Sequence, residues 1–283
     1  MRVLTWNTLW QFGPWQPRQA PLDAACLAAD PTVVLLQETW PGQAERLAGV
    51  LGMEVVGYHG EPLEPAPEPE AADTPFGNAL LARPGTMSAA DILILPPGVG
   101  RAVRSAVAAK TSVFGAEVLV VSTHLASKTD DNEARARQMH TIVEWVDGLH
   151  PDGPVLLGGD LNQTPTSPEY VSSIAPNWAD LWLHDWDAAD GGPGGAPATV
   201  DERVQAGLTM IEGNPHVLAG EWMLKRNGRD GPANGVRFDY LLARAGGAAG
   251  LGPLGIEWMT TVGAAPDAWP SDHLGVLAEI TPS

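Results

Sequence analysis

Short apolar runs recur along this chain of 283 residues, and each meets a polar residue of unusual chemistry at one end or within it. Val33–Leu36 runs into Gln37-Glu38, Val118–Val121 into Ser-Thr-His124, and Val155–Leu157 into Gly-Gly-Asp160-Leu-Asn162. Phe238-Asp239-Tyr-Leu-Leu242 carries its acid inside the run, and Leu274–Ile280 follows Asp272-His273. Runs of four to six aliphatic residues bounded by Gly and Pro read as strands buried on both faces. A chain that sets its polar residues where buried strands end is building a site along one edge of a sheet.

Helical patterns intervene. Pro41–Leu51 has proline in its first turn and Gly52 just past its end, the expected start and stop asymmetry. Asn132–Leu149 puts Met139, Ile142, Val146 and Leu149 on one stripe, with Glu133, Arg137 and Glu144 opposite. Strands and helices alternate throughout, with no fixed-period repeat and no composition break. The expectation is a layered α/β or α+β fold in one domain over 1–283, with loop insertions near 61–75 and 176–236. The first insertion has five acids, five prolines and no base, and reads as extended and exposed. The second carries Trp178, Trp182, Trp186 and Trp222, read as packing residues rather than a ligand platform.

The polar residues have chemical roles open to them. Asp160 and Asn162, two apart at a strand end, point the same way, so an amide can donate to a phosphate oxygen while a carboxylate orients a water. The glycines before them admit a ligand closely. The ordinary alternative is an Asx turn. An acid inside the run 238–242 is costly to bury unpaired and wants a cation or a histidine. An Asp-held imidazole fixes its tautomer, which links Asp239 to His273; the structural alternative is an ion pair of Asp239 with Arg237. Glu38, a lone carboxylate closing a strand, suits Mg²⁺, which takes one or two protein carboxylates and keeps waters. Asn7 can supply a further oxygen ligand, and His124 can hydrogen-bond a phosphate oxygen. Their ordinary alternatives are a backbone turn and a satisfied core histidine. Cys26, the only cysteine, reads as a small apolar helix residue.

Seven short motifs come in order: Trp6-Asn7, Gln37-Glu38, Gly77–Arg83, Ser122–Leu125, Gly159–Asn162, Arg237–Tyr240 and Ser271–His273. From residue 3 to residue 280 this succession resembles the endonuclease/exonuclease/phosphatase superfamily, the DNase I-like enzymes. The resemblance implies a four-layer α/β/β/α sandwich and a metal-dependent phosphoester hydrolase. It implies Mg²⁺, with Mn²⁺ able to substitute, held near Asn7, Glu38 and Asp272. It implies a water activated through Asp160 and the Asp239–His273 pair, the base among them left open. Asn78, His124 and Asn162 would hold the phosphoryl oxygens.

Charge bears on the substrate. With 16 Lys and Arg against 34 Asp and Glu, the net charge is −18, which repels phosphate backbones. Leu9 also stands where abasic-site endonucleases carry an acid or amide. The expectation is therefore a small-molecule or lipid-type phosphoester substrate, with duplex nucleic acid unfavoured. The alternatives are a nuclease acting on DNA, RNA or nucleotides, and a catalytically silent binding protein on the same fold. No leader and no apolar run of roughly 20 residues is visible, so the expected location is cytoplasmic.

Overall fold

A computed structural model describes residues 1–66, 69–100, 102–128, 130–183, 207–211, 214–217, 235–244, 254–263 and 268–282. Two six-stranded sheets form the centre. The first comprises β1 (Arg2–Asn7), β2 (Val33–Thr39), β3 (Glu54–Pro62), β4 (Pro75–Ala82), β13 (Leu254–Val262) and β14 (Gly275–Pro282), in the order β13-β14-β1-β2-β4-β3. The second comprises β5 (Asp91–Ile94), β6 (Ser105–Val113), β7 (Ala116–His124), β8 (Val155–Asp160), β9 (Trp178–Asp180) and β12 (Asp239–Arg244), in the order β5-β6-β7-β8-β12-β9. A two-stranded pair, β10 (Met210–Ile211) with β11 (Gly235–Val236), stands beside them.

Three apolar layers hold the stack together. Val3, Leu35, Leu80, Val107, Val120, Leu156, Leu241 and Val276 interleave between the sheets. Helices α1 (Gln19–Ala29) and α2 (Pro41–Leu51) cover the outer face of the first sheet through Leu22, Cys26, Ala44 and Leu47. Helices α3 (Asn132–Leu149) and α4 (Pro168–Ser173) cover the second through Met139, Ile142, Val146 and Tyr170. This is the four-layer α/β/β/α sandwich. The stretch Val33–Leu36 of β2 is apolar at every position because both faces are inside, one against a helix and one against the other sheet.

The helix boundaries follow their local chemistry. α2 starts at Pro41 and stops where Gly52 turns left-handed, φ 64°, a conformation that costs a glycine nothing. Cys26 packs in α1, where burial pushes its thiol up to about 12, so it is inert as a nucleophile. Trp178 and Trp182 are buried as packing residues, while Trp186 and Trp222 lie outside the described residues, as do most of 176–236. The 61–75 segment is less open than its composition suggests. It begins in β3 and ends in β4, and it buries Leu63 and Ala71. Among the described residues no helix is long and apolar enough to cross a membrane.

Candidate active site

Strand direction explains why the polar residues converge. β1 and β2 run parallel, as do β7 and β8, so their C-terminal ends reach one edge with Asn7, Glu38, His124 and Asp160. β4, β6, β12 and β14 run antiparallel to these, so it is their N-terminal starts that lie there. Asn78, Arg104, Asp239 and His273 arrive by that route. Register then sets neighbours: Asp160 faces His124 across one ladder and Asp239 across the other.

The central group is Asp160. Its Oδ2 accepts from Asn7 Nδ2 at 3.0 Å, a bond between the two sheets, and its Oδ1 accepts from the Asn162 backbone at 2.8 Å. The second bond is the Asx turn, the ordinary alternative for this pair. Asn162, left-handed at φ 52°, turns away from strict alternation. Its amide nitrogen lies 3.0 Å from His124 Nε2 and donates to the Leu125 carbonyl at 3.2 Å. His124 Nε2 is 3.4 Å from Asp160 Oδ2 and 3.9 Å from Glu38 Oε1.

Opposite lies the Asp239–His273 pair, Nδ1 to Oδ2 at 2.7 Å. His273 Nε2 then faces Asp160 Oδ2 at 3.9 Å and Asp272 Oδ1 at 4.0 Å. Asp239 is paired with the histidine and not with Arg237, whose guanidinium forks onto Asp180 instead, with Nη1 at 3.0 Å from Oδ1. Thr209 Oγ1 accepts from the Phe238 and Asp239 backbones, and Ser271 Oγ donates to the Asn7 carbonyl at 2.7 Å.

Glu38 occupies a bulge between β2 and β4 and has φ 49°, rare for a residue with a Cβ. The bulge re-aims its side chain toward the edge, a backbone feature that no sequence pattern announces. Glu38 and Asp272 are the more exposed acids of the cluster, at 15% and 16% of the side chain, against 3% for Asp160. Burial, then Asp272, pushes the Glu38 carboxyl up to about 7, and burial also raises Asp272. Burial, with Asp239 adding to it, raises Asp160 to about 6. Burial works against a charge on His273, but Asp239, Asp272 and Asp160 outweigh it and hold the imidazolium well above its usual range.

Two crowded acids with raised carboxyl groups are a donor set that a hard divalent cation relieves. Asn7 Oδ1 already accepts from the Leu9 backbone at 3.0 Å, which leaves it one lone pair for such an ion. Asp160, Asp239 and His273 also bring three candidate ligand atoms within 4.8 Å. Within that trio Asp239 and His273 already bond each other.

Two expectations change in detail. Asn78, expected at a phosphoryl oxygen, gives both amide hydrogens to Ser105, the carbonyl at 2.8 Å and the hydroxyl at 3.3 Å. The glycines before Asp160 serve packing rather than ligand approach. A Cβ on Gly159 would sit 1.9 Å from the Thr123 carbonyl, and one on Gly158 would strike Leu35 between the sheets at 2.5 Å.

The sequence reading also passed over two arginines. Arg104 precedes the apolar start of β6, the mirror image of the pattern that flagged the other residues, and reading strands from both ends would have found it. Arg18 carries no such signal. Buried, it donates to five carbonyls, those of Thr8, Leu9, Trp10, Phe12 and Pro270, and so ties the loop after β1 to the loop that carries Asp272 and His273.

A four-layer sandwich with this edge defines a class, the DNase I-like hydrolases of phosphoester bonds. Residues 4–273 match the sequence profile of the Endonuclease/Exonuclease/phosphatase family, and the chain belongs to that family. Its members are generally divalent-metal dependent. No individual curated protein sequence matches the chain. Among solved structures it is similar to D. rerio TDP2 complexed with single strand DNA product, with TM-score 0.70 and 16% identity over 99% of this chain and 98% of that one. It is similar to the human Nocturnin catalytic domain with bound sulfate anion, at 0.70 and 20% over 100% and 94%. It also resembles the Bacteroides thetaiotaomicron mannosyl-6-phosphatase, at 0.64 and 15% over 99% of each. At these identities the likeness is one of fold.

The TDP2 structure corrects the expectation of a small-molecule or lipid substrate with duplex nucleic acid unfavoured, because there the same fold holds a single DNA strand. The physical error was to read a local field from a global sum. The −18 charge is a sum over the whole chain, whereas the cleft that Glu38 lines carries Arg104 and Lys128.

Proposed function

We propose that the chain is a Mg²⁺-dependent phosphodiesterase acting on single-stranded nucleic acid or nucleotide phosphodiesters. The observation that carries this reading is the His273 imidazole, fixed by Asp239 at 2.7 Å with its other nitrogen turned to Asp160 beside two crowded acids. In this reading Asp160 accepts the proton of the attacking water. A carboxyl raised to about 6 is ionised at neutral pH yet basic enough to take it. His273, held as the imidazolium by its three acids, supplies positive charge and a donor at the phosphoryl group. His124 and Asn162, which in this structure meet each other and the Leu125 carbonyl, would re-aim to phosphoryl oxygens when substrate binds. Glu38 and Asp272, with the remaining lone pair of Asn7, would hold the ion, which would supply neutralising charge for the phosphoryl group.

The test sets a 5′-labelled single-stranded oligonucleotide beside bis-p-nitrophenyl phosphate and p-nitrophenyl phosphate, with Mg²⁺ or with excess EDTA. Metal-dependent cleavage of the strand and of the diester is expected. Full activity in EDTA, or hydrolysis of the monoester alone, would refute the reading.

The metal also has a signature in stability. In the metal-free protein the raised Glu38 pKa means a contribution fully present below about 4.5, the ordinary value, and lost as pH rises through about 7. A bound cation favours the ionised form and cancels that loss. Saturating Mg²⁺ is therefore expected to raise Tm by several degrees more at pH 8 than at pH 5.5, and by little in Glu38→Gln. Equal Mg²⁺ shifts at both pH values, measured by scanning calorimetry, would remove Glu38 from the ion.

A further inference from the structure

A cleft of about 600 Å³ has Glu38 in its lining. One wall is apolar, with Phe12, Leu63 and Phe76. Phe12 is half-buried and stands in a ring cluster with Trp10 at 5.3 Å and Phe76 at 6.2 Å, so one aromatic face is held stiffly at the cleft. Two cations line the same cleft. Lys128 is exposed at the rim. Arg104 is 7% exposed, its guanidinium lies 5.6 Å from the Phe76 ring centre, and its buried Nη1 has no hydrogen-bond partner among the described residues.

That orphan is the informative feature. A guanidinium stays charged in any protein and offers a rigid fork of donors matched to phosphate. Burying one with a donor unused is costly, and native structures seldom tolerate it without a reason. Arg18, also buried, gives both terminal nitrogens of its fork to carbonyls and leaves only Nε without a partner, whereas in Arg104 it is a terminal nitrogen that is left over. The Glu38 and Asp160 carboxylates draw charge toward Arg104 but do not fill its fork. What fits is an anion that arrives with the substrate, next to a flat apolar group that fits the Phe12–Phe76 wall.

We infer that this cleft is the subsite for the nucleoside flanking the scissile phosphodiester, with its base against Phe12 and its further phosphate on Arg104. The inference rests on the diesterase reading and narrows it. The substrate carries at least two phosphates, and the one on Arg104 is not the one cleaved. Lys128 lies outward of Arg104 and continues the same track.

Two measurements test it. In metal-free buffer, thymidine 3′,5′-bisphosphate is expected to raise the Tm of the wild-type protein more than thymidine 5′-monophosphate does. The difference should vanish in Arg104→Met and return in part in Arg104→Lys. With Mg²⁺, Arg104→Met should raise KM for a single-stranded tetranucleotide about tenfold, and Phe12→Ala about fivefold, the scale of one stacked base. The fall on bis-p-nitrophenyl phosphate, which has neither base nor second phosphate, should be at least fivefold smaller. Equal losses on both substrates would put Arg104 on the scissile phosphate and overturn the subsite. An unchanged bisphosphate shift in Arg104→Met would overturn it as well. If the wild-type protein cleaves neither substrate, the diesterase reading fails, while the bisphosphate difference still decides the subsite by itself.

Discussion

Asp160→Asn is expected to lower kcat by about 10²–10⁴, and His273→Ala by a similar factor, the usual worth of positioned proton transfer. The geometry gives the reason. Asp160 Oδ2 and His273 Nε2 are 3.9 Å apart, too far for a direct bond and close enough to share one water or one phosphoryl oxygen. The asparagine variant keeps an acceptor oxygen for the Asn162 backbone, so the Asx turn and the fold should survive while the base is gone. Because the two groups are proposed to act on one event, the double variant should lose little more than the worse single. Fully multiplicative losses in single-turnover assays would mean independent roles, and the shared-water picture would be wrong. Asp239→Asn belongs to the same series, since it removes the carboxylate that orients His273 and sustains its charge.

Arg237→Met is expected to cost about 3–5 kcal/mol of stability, the scale of a buried ion pair broken on one side. Arg237 and Asp180 are 1% and 6% exposed, and they meet through a two-pronged fork. Asp180 also accepts from the Tyr170 hydroxyl at 3.0 Å and from the Trp182 backbone at 3.1 Å, while the guanidinium stacks 4.5 Å from the Tyr240 ring centre. Removing the arginine leaves a carboxylate in the interior with neutral donors alone. Replacing both members, as Arg237→Met with Asp180→Leu, should recover a good part of the loss, because no charge is then stranded. Urea denaturation reads both effects. A loss under about 1 kcal/mol for the single change would show the pair to be dispensable.

The sandwich was legible because its strands are buried on both faces. Val33–Leu36, Val118–Val121 and Val155–Leu157 leave no polar position to mistake for a surface, and α2 and α3 announce themselves by proline, glycine and a 3–4 stripe. Edge strands were not legible. β5 exposes three of its four residues although Ile92–Leu95 is apolar, and β3 is half-buried or exposed throughout and carries no such run. Of the candidate site, the residues at strand ends were found because a polar group closing an apolar run is conspicuous, and the structure gathers Asn7, Glu38, His124, Asp160, Asn162, Asp239, Asp272 and His273 at one edge. What stayed hidden needed three dimensions. The left-handed bulge at Glu38, the loss of Asn78's donors to Ser105, the Arg237–Asp180 pairing and the unfilled fork of Arg104 all depend on which strand lies beside which. The charge argument failed for a related reason, since composition sums over a surface that a substrate touches at one place.

The tie between Asn7 and Ser271 spans 264 positions of chain, and β14 is held between β1 and β13. The half of the sheet that seats His273 is thus laid down last during synthesis, while Asn7, Glu38 and Asp160 wait. Contacts so distant in sequence form slowly, since closing the loop must precede any gain from it. A chain synthesised only as far as Asp160 has Asn7 and Glu38 but not Asp239, Asp272 or His273, so the cluster is incomplete until that late segment follows.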